Sequence, residues 1–387
     1  MSFGLPMNAP RRVFAGFAVY AFALGSIFPR LGEVQHAMGV QTGALGLGLI
    51  GAPAGTLIAL TFAGPFLDRI GFRKALLLAI PLLAVLYAIA VHAPSPAVLF
   101  VLLLPAGLII GCIEIILNLE ADRVEHAVGY RIMNRSHAFW SIGFFGAGLF
   151  GAAMAGVGVS PQLHLGLVVP IATILIAILM GDFQPAPHRP GNTDQEPPKF
   201  AAPTGPILIL VAFTLSAMLL EGASIDWSAI YMRDVFGASP FMAGMAVATF
   251  AFCHATARFF ADGMVDKTSP TLVARTQLYI LLVGCLFVYF APVAGVAMAG
   301  FALMGVGSST MFPLAMSAAA QRTDRAAAIN VAALAQFSFM IFLLAPPLLG
   351  FVAEHFGIRM SFGIAIPLIL VSLLTAGVLR QDQTVKA

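Results

Sequence analysis

From Ala138 to Gly181 the chain runs 44 residues without an Asp, Glu, Lys or Arg, and from Thr276 to Gln321 it runs 46. No water-facing helix can be assembled from such stretches, because an amphipathic helix needs charged or polar groups on its outer face. A helix rises about 1.5 Å per residue and the bilayer hydrocarbon is about 30 Å deep, so about 20 apolar residues cross it. Each run therefore holds two spans and a turn. The first breaks near Gly158 to Pro161 and the second near Ala291-Pro292, while a third run, 75–113, breaks at His92-Ala93-Pro94-Ser95-Pro96. Composition agrees: 10% of residues are charged and 60% hydrophobic, against about 25% charged in soluble domains.

The remaining runs place helices at 12–29, 42–65, 75–91, 97–121, 136–157, 163–181, 205–227, 240–261, 272–290, 294–316, 326–350 and 360–379. An even count returns both ends to one side, and the Lys/Arg bias says which. Seventeen basic residues fall on the side of the N-terminus and three, Arg30, Arg233 and Arg359, on the other. The expectation is a multi-pass protein of the bacterial inner membrane with both termini cytoplasmic. Arg11 and Arg12 precede a first span rather than a cleaved signal peptide. A proline-rich stretch, 183–204, separates six spans from six, so the expected units are 1–182, a cytoplasmic linker 183–204 and 205–387. The fold class is all-α integral membrane, twelve transmembrane helices in two pseudo-symmetric six-helix bundles.

Net charge is +3 with the basic residues scattered singly, which argues against a nucleic-acid partner. Cys112, Cys253 and Cys285 are isolated in apolar runs, so neither a disulfide framework nor a metal site is expected. No phosphate-binding loop is present and no cofactor is implied.

An offset of 198 aligns the two halves without gaps from Met38 to Asp68: Gly39 meets Gly237, Gly46 meets Gly244, Asp68 meets Asp266 and Arg69 meets Lys267. With one residue more, His137 meets Gln336 and Gly151 meets Gly350. Such internal repetition is the mark of transporter folds with a substrate site between the repeats.

The loop Gly64-Pro-Phe-Leu-Asp68-Arg69-Ile-Gly71-Phe-Arg73-Lys74 resembles the signature loop of the major facilitator superfamily, Gly-x-x-x-Asp-Arg-x-Gly-x-[Arg/Lys]-[Arg/Lys], in its expected place between helices 2 and 3. The segments His137-Ala-Phe-Trp140-Ser141-Ile-Gly143 and Glu221-Gly222-Ala-Ser-Ile-Asp226-Trp227-Ser228-Ala-Ile-Tyr231 are similar to a largely uncharacterised bacterial branch near the fucose-permease-like sugar:proton symporters. Two departures stand out: the second-half loop from Asp262 to Pro270 lacks the second basic pair, and helix 1 has no charged pair at its middle. The resemblance implies a cytoplasmic latch. Gly64 and Gly71 would allow close helix approach, Asp68 would face the amides that begin helix 11 near Ala326, and Arg73 or Arg69 would pair with Glu120 or Asp122. In the second half Arg258 would pair with Asp262 or Asp266.

An ionisable group inside a span is costly, about 2.5–3.5 kcal/mol on insertion scales, and therefore faces a cavity or a partner. Glu114 and Asn118 lie four apart on one helix face, and a buried carboxylate there can carry a proton or accept a hydrogen bond from a substrate. Glu221 sits similarly deep in helix 7. Asp226, with Trp227 and Tyr231, reads first as membrane-interface and second as functional. His254 and Arg258 share a face of helix 8, and His254 is a candidate relay or a merely satisfied core histidine. His137 and Gln336, matched by the repeat, and Trp140 one turn beyond His137, are candidates for a shared central site or for ordinary helix-to-helix hydrogen bonds. Arg30 and Glu33 read as an interfacial pair or a periplasmic gate.

The functional expectation is a non-enzymatic secondary transporter, a monomer in membrane lipid, moving a small solute by alternating access with proton coupling. The alternatives are a proton-driven exporter of amphipathic compounds and a non-transporting membrane receptor.

Overall fold

The computed structural model describes residues 7–63, 67, 70, 72–130, 132–180, 184–187, 201–325 and 327–379. Twelve helices among them are long and apolar enough to cross a membrane: α1 Ala9–Met38, α2 Thr42–Phe62, α3 Phe72–Ala90, α4 Pro96–Val128, α5 Arg135–Gly156, α6 Pro161–Met180, α7 Gly205–Phe236, α8 Pro240–Ala261, α9 Pro270–Phe290, α10 Ala294–Ala320, α11 Ile329–Phe356 and α12 Ile358–Leu379. Ser-Pro pairs open α4, α8 and α9: the hydroxyls of Ser95, Ser239 and Ser269 accept from the amides of Val98, Met242 and Leu272 at 3.4, 3.3 and 3.2 Å. Proline at the first helical position costs nothing, since its missing N–H would be unpaired there anyway.

Among the helices that run past their expected ends are those expected to stop at 29, 121 and 227. Loss of hydropathy marks where the membrane stops, whereas a helix stops where the backbone can leave it. Those points are Gly39, Gly129 and Gly237, with φ of 64°, 75° and 58°, a left-handed turn open to glycine. Gly39 and Gly237, matched by the 198-residue offset, thus terminate the first helix of each half.

The same offset recurs in the packing. A Cβ on Gly107 of α4 would overlap the carbonyl oxygen of Ala52 in α2, and one on Gly305 of α10 would overlap that of Phe250 in α8. Both residues of the second contact lie 198 positions beyond those of the first. Without side chains at these points the two backbones touch, which is how helices pack where lipid supplies no hydrophobic drive.

The two sets of six meet along α2 with α11 and α5 with α8. The closest approaches cluster toward the face opposite the chain ends, called the far face here. A Cβ on Gly46 would overlap the Pro346 carbonyl oxygen, one on Gly244 would stand 2.8 Å from Ala152 Cβ, and one on Gly148 3.2 Å from Ala248 Cα. Thr42 Oγ1 donates to the Gly350 carbonyl at 3.2 Å, and the Gly43 amide to Glu354 Oε2 at 3.0 Å. Arg233 of α7 donates to the Gly32 carbonyl and, at 2.9 Å, to Gln35 Oε1 of α1. Arg233 and Gln35 are themselves 198 residues apart, so this contact straddles the pseudo-two-fold axis. The far face is sealed.

Trp227 and Tyr231 overturn the interfacial reading of their segment. Both are fully buried, Trp227 against Gly350 and Tyr231 through a hydroxyl donated to the Val288 carbonyl at 2.5 Å. The aromatic belt rule concerns lipid-facing positions, and α7 is an inner helix.

Candidate functional site

Two polar clusters lie inside the bundle, one from each half. In the first, the Glu114 carboxylate of α4 accepts from the Tyr20 hydroxyl of α1 at 2.9 Å and from Asn118 Nδ2 at 3.1 Å. Asn118 turns its Oδ1 to His137 Nε2 of α5 at 3.2 Å. The chain Tyr20–Glu114–Asn118–His137 therefore ties three helices together through side chains alone. The i,i+4 spacing set Glu114 and Asn118 on one face; the helix crossing brought the other two to them.

In the second, Glu221 of α7 faces His254 of α8, with Oε1 and Nε2 3.8 Å apart. That exceeds a hydrogen bond, and His254 Nε2 is buried without a partner. Arg258, one turn along α8, is anchored by its Nε to the Ser309 carbonyl at 3.0 Å. This carbonyl is available because α10 breaks there, between segments ending at Ser308 and resuming at Met311. Arg258 shares the His254 face of α8, one turn nearer the terminal face. Its expected pairing with Asp262 or Asp266 is not the contact it makes: Asp266 is exposed, and the Asp262 side chain lies outside the described residues.

Beside the second cluster is a cavity of about 10 Å³ lined by Trp140, Ser141 and Phe144 of α5, Glu221 and Ile225 of α7, and Phe250, Ala251 and His254 of α8. It has about the room one water needs. Of its polar atoms, His254 Nε2 is buried with no hydrogen-bond partner, while Trp140 Nε1, short of ideal hydrogen-bond geometry, is turned to the Tyr20 hydroxyl. Buried polar groups in native proteins are paired almost without exception, which makes the His254 imidazole facing the Glu221 carboxylate the candidate site. The walls are aromatic: the Trp140 and Phe144 rings stack at 5.2 Å and Phe250 stacks on His254 at 5.6 Å.

The other candidates fall elsewhere. Gln336 does not join His137; its Oε1 accepts from the Ala201 amide at 3.1 Å, so it holds the segment leading into α7. Asp226 is half-buried on α7, next to the fully buried Trp227. Arg30 and Glu33 form a bidentate pair, and Arg30 Nη2 also donates to the Val159 carbonyl at 2.6 Å. All three residues belong to the first six spans, so this pair braces one half; the far-face contacts between halves are those of Arg233, Gln35, Thr42, Gly43 and Glu354. Glu120 accepts from the Ala186 amide at 2.8 Å, binding the linker instead of Arg73. Arg73 and Asp122 are both engaged in interactions. Gly64, Asp68, Arg69 and Gly71 lie outside the described residues. Among the described residues no group of three or more His, Cys, Asp or Glu side chains is disposed to hold a metal.

Tyr20, Tyr87, Phe144 and Phe250 were not foreseen. A lone hydroxyl or ring on an apolar helix carries no periodic signal. Gln35 and Arg233 carried one, as polar residues matched by the repeat offset.

The Major Facilitator Superfamily profile matches residues 209–386. An uncharacterised transporter of Sinorhizobium fredii is 30% identical over 356 residues, covering 91% of this chain and 93% of the relative. An uncharacterised MFS-type transporter of Yersinia pestis is 27% identical over 358 residues, covering 92% and 91%. Among solved structures, a mutant of the nucleoside transporter NupG superposes with a TM-score of 0.76 at 12% identity, covering 97% of this chain and 100% of that one.

Proposed function

The chain belongs to the major facilitator superfamily as a multi-pass membrane transporter, and on that premise we propose that it is a proton-coupled secondary transporter of a small polar solute. The observation that carries this reading is the central cavity. Glu221 and His254 of the second half line it together with Trp140 of the first, and the other carboxylate, Glu114, is held in the cluster completed by His137, one turn along α5 from Trp140. Nothing in the chain resembles a nucleotide site, so the drive is an ion gradient or the solute's own, and groups that exchange protons favour the former.

The seventeen-to-three basic bias supports a cytoplasmic terminal face and an inner-membrane location. The sealed far face is then periplasmic, and the site opens toward the cytoplasm when the halves part there. Proton exchange on Glu221 changes the charge that α7 presents to His254 of α8, and with it the stability of this packing of α5 on α8 relative to one in which the far face is parted. Solute bound to His254 Nε2 would bias the same balance, and coupling follows because both ligands act on one two-state element.

A second reading, an exporter of amphipathic compounds, is favoured by the aromatic walls of Trp140, Phe144 and Phe250. One experiment addresses both. The purified protein is reconstituted in liposomes with a trapped pH dye and offered panels of polar and amphipathic solutes, with Glu114→Gln and Glu221→Gln alongside wild type. Solute-dependent proton movement lost in either variant is the expected result, and the panel that elicits it chooses between the readings. Solute binding without proton movement in wild type would refute coupling.

A further inference from the structure

Away from the central cavity, α8, α9 and α10 enclose a groove of about 530 Å³ on the lipid-facing side, its walls almost wholly apolar. Phe252, Phe260 and Leu272 line it and are 52%, 60% and 54% exposed. They face outward from the spans, so whatever fills the groove comes from the bilayer. The groove uses the face of α8 bearing Cys253, Thr256 and Phe260, while the central cavity uses the face bearing Phe250, Ala251 and His254.

Its polar side chains are Thr256, Thr268, Thr276, Lys267 and Gln277, and the last two bear on what binds there. At the terminal-face end stands Lys267, exposed and, among the described residues, without an ion pair. Deeper, about two turns along α9 from Pro270, lies Gln277, 3% exposed. Its Oε1 receives the Thr310 hydroxyl, while its Nε2 is buried with no partner. With the Thr310 hydroxyl donating to the amide oxygen, the group left without a partner is a donor. An amide in hydrocarbon surroundings needs a partner. Of bilayer components, the glycerol ester carbonyls reach that depth below a headgroup, and a phosphate lies at the level of the cation above.

We propose that this groove is the binding site of one anionic glycerophospholipid, with an acyl chain along Phe252 and Phe260, an ester carbonyl accepting from Gln277 and the headgroup phosphate on Lys267. Basic residues at the cytoplasmic ends of grooves between spans are a recurrent basis of such recognition.

The test is native mass spectrometry of the delipidated full chain titrated with phosphatidylglycerol or with phosphatidylcholine of identical chains. Wild type is expected to retain one phosphatidylglycerol in preference to phosphatidylcholine by about fivefold, the contribution of one surface cation. Lys267→Gln, an exposed change that the fold tolerates, is expected to abolish the preference. Ala257→Phe, which fills the groove, is expected to remove the first adduct of both lipids. Equal retention of the two lipids by wild type, an unchanged preference in Lys267→Gln, or an undiminished first adduct in folded Ala257→Phe would each overturn the assignment. If Ala257→Phe fails to fold, the Lys267→Gln comparison decides alone.

Discussion

Gly244→Ala tests whether the far-face seal between α8 and α5 is one of two packings. A Cβ added there would stand 2.8 Å from Ala152 Cβ and 2.9 Å from Ala152 Cα, where ordinary contact begins at 3.4 Å. The helices must therefore separate by at least about half an ångström, or the sealed state must bear overpacking strain of about 1–3 kcal/mol. If the halves rock, a conformer with the far face parted carries no such strain. The gain in helix propensity from Gly to Ala, up to about 1 kcal/mol, is common to both conformers and cancels. The ratio of parted to sealed molecules should then rise about 5- to 150-fold. Spin labels at Gln41→Cys and His355→Cys, both exposed on the far face and in opposite halves, report the separation by pulsed electron resonance once Cys112, Cys253 and Cys285 are replaced by alanine. The expected result is a new long-distance component in Gly244→Ala. It should be absent in Gly166→Ala, where a Cβ meets nothing within 4 Å. An unchanged distance distribution in folded Gly244→Ala would refute the claim that this contact gates the far face.

Two further substitutions probe the contacts across and within the halves. Arg233→Ala removes the donors to Gly32 and Gln35; with the Arg233 side chain 35% exposed, the loss is about 1 kcal/mol and the same label pair should show a roughly fivefold shift toward the parted state, whereas no shift would make the contact incidental. Tyr20→Phe deletes the hydroxyl donated to Glu114 while keeping the ring. Transport at fixed pH should fall about tenfold and the midpoint of its pH dependence should move, because a hydrogen bond to a charged group is worth about 1.5–3 kcal/mol; an identical pH profile would reduce Tyr20 to a packing role.

Much of the architecture was legible because its determinants are local. A span announces itself by twenty uncharged residues whatever lies beside it. The glycines that end α1 and α7 belong to the repeat that runs from Met38 to Asp68, whereas the contacts of Gly107 with Ala52 and of Gly305 with Phe250, which obey the same offset, emerge only in the packing. Assignments failed where a local cue had two meanings. Trp227 and Tyr231 were read from an interfacial preference that applies only to lipid-facing positions, and nothing local says that α7 is an inner helix. Glu120 and Gln336 were assigned to a latch and to the central site, but each accepts a backbone amide of the linker. A proline-rich segment gives no sequence sign of where it docks.

The sequence by itself determined that this chain lives in a membrane, that it crosses twelve times, that its halves repeat and that Glu114, Glu221, His254 and Arg258 are charges or polar groups placed at a cost inside the spans. Hydropathy, glycine spacing and charge are properties of single residues or of neighbours within a turn or two. Only the tertiary structure decided which groups meet: Tyr20 with Glu114 across 94 positions, His137 with Asn118, and Arg258 with a carbonyl freed by the break in α10. A side chain reaches only a few ångströms from its helix. Its partner is therefore set by how two helices cross and rotate against each other, and that depends on every small residue along the contact.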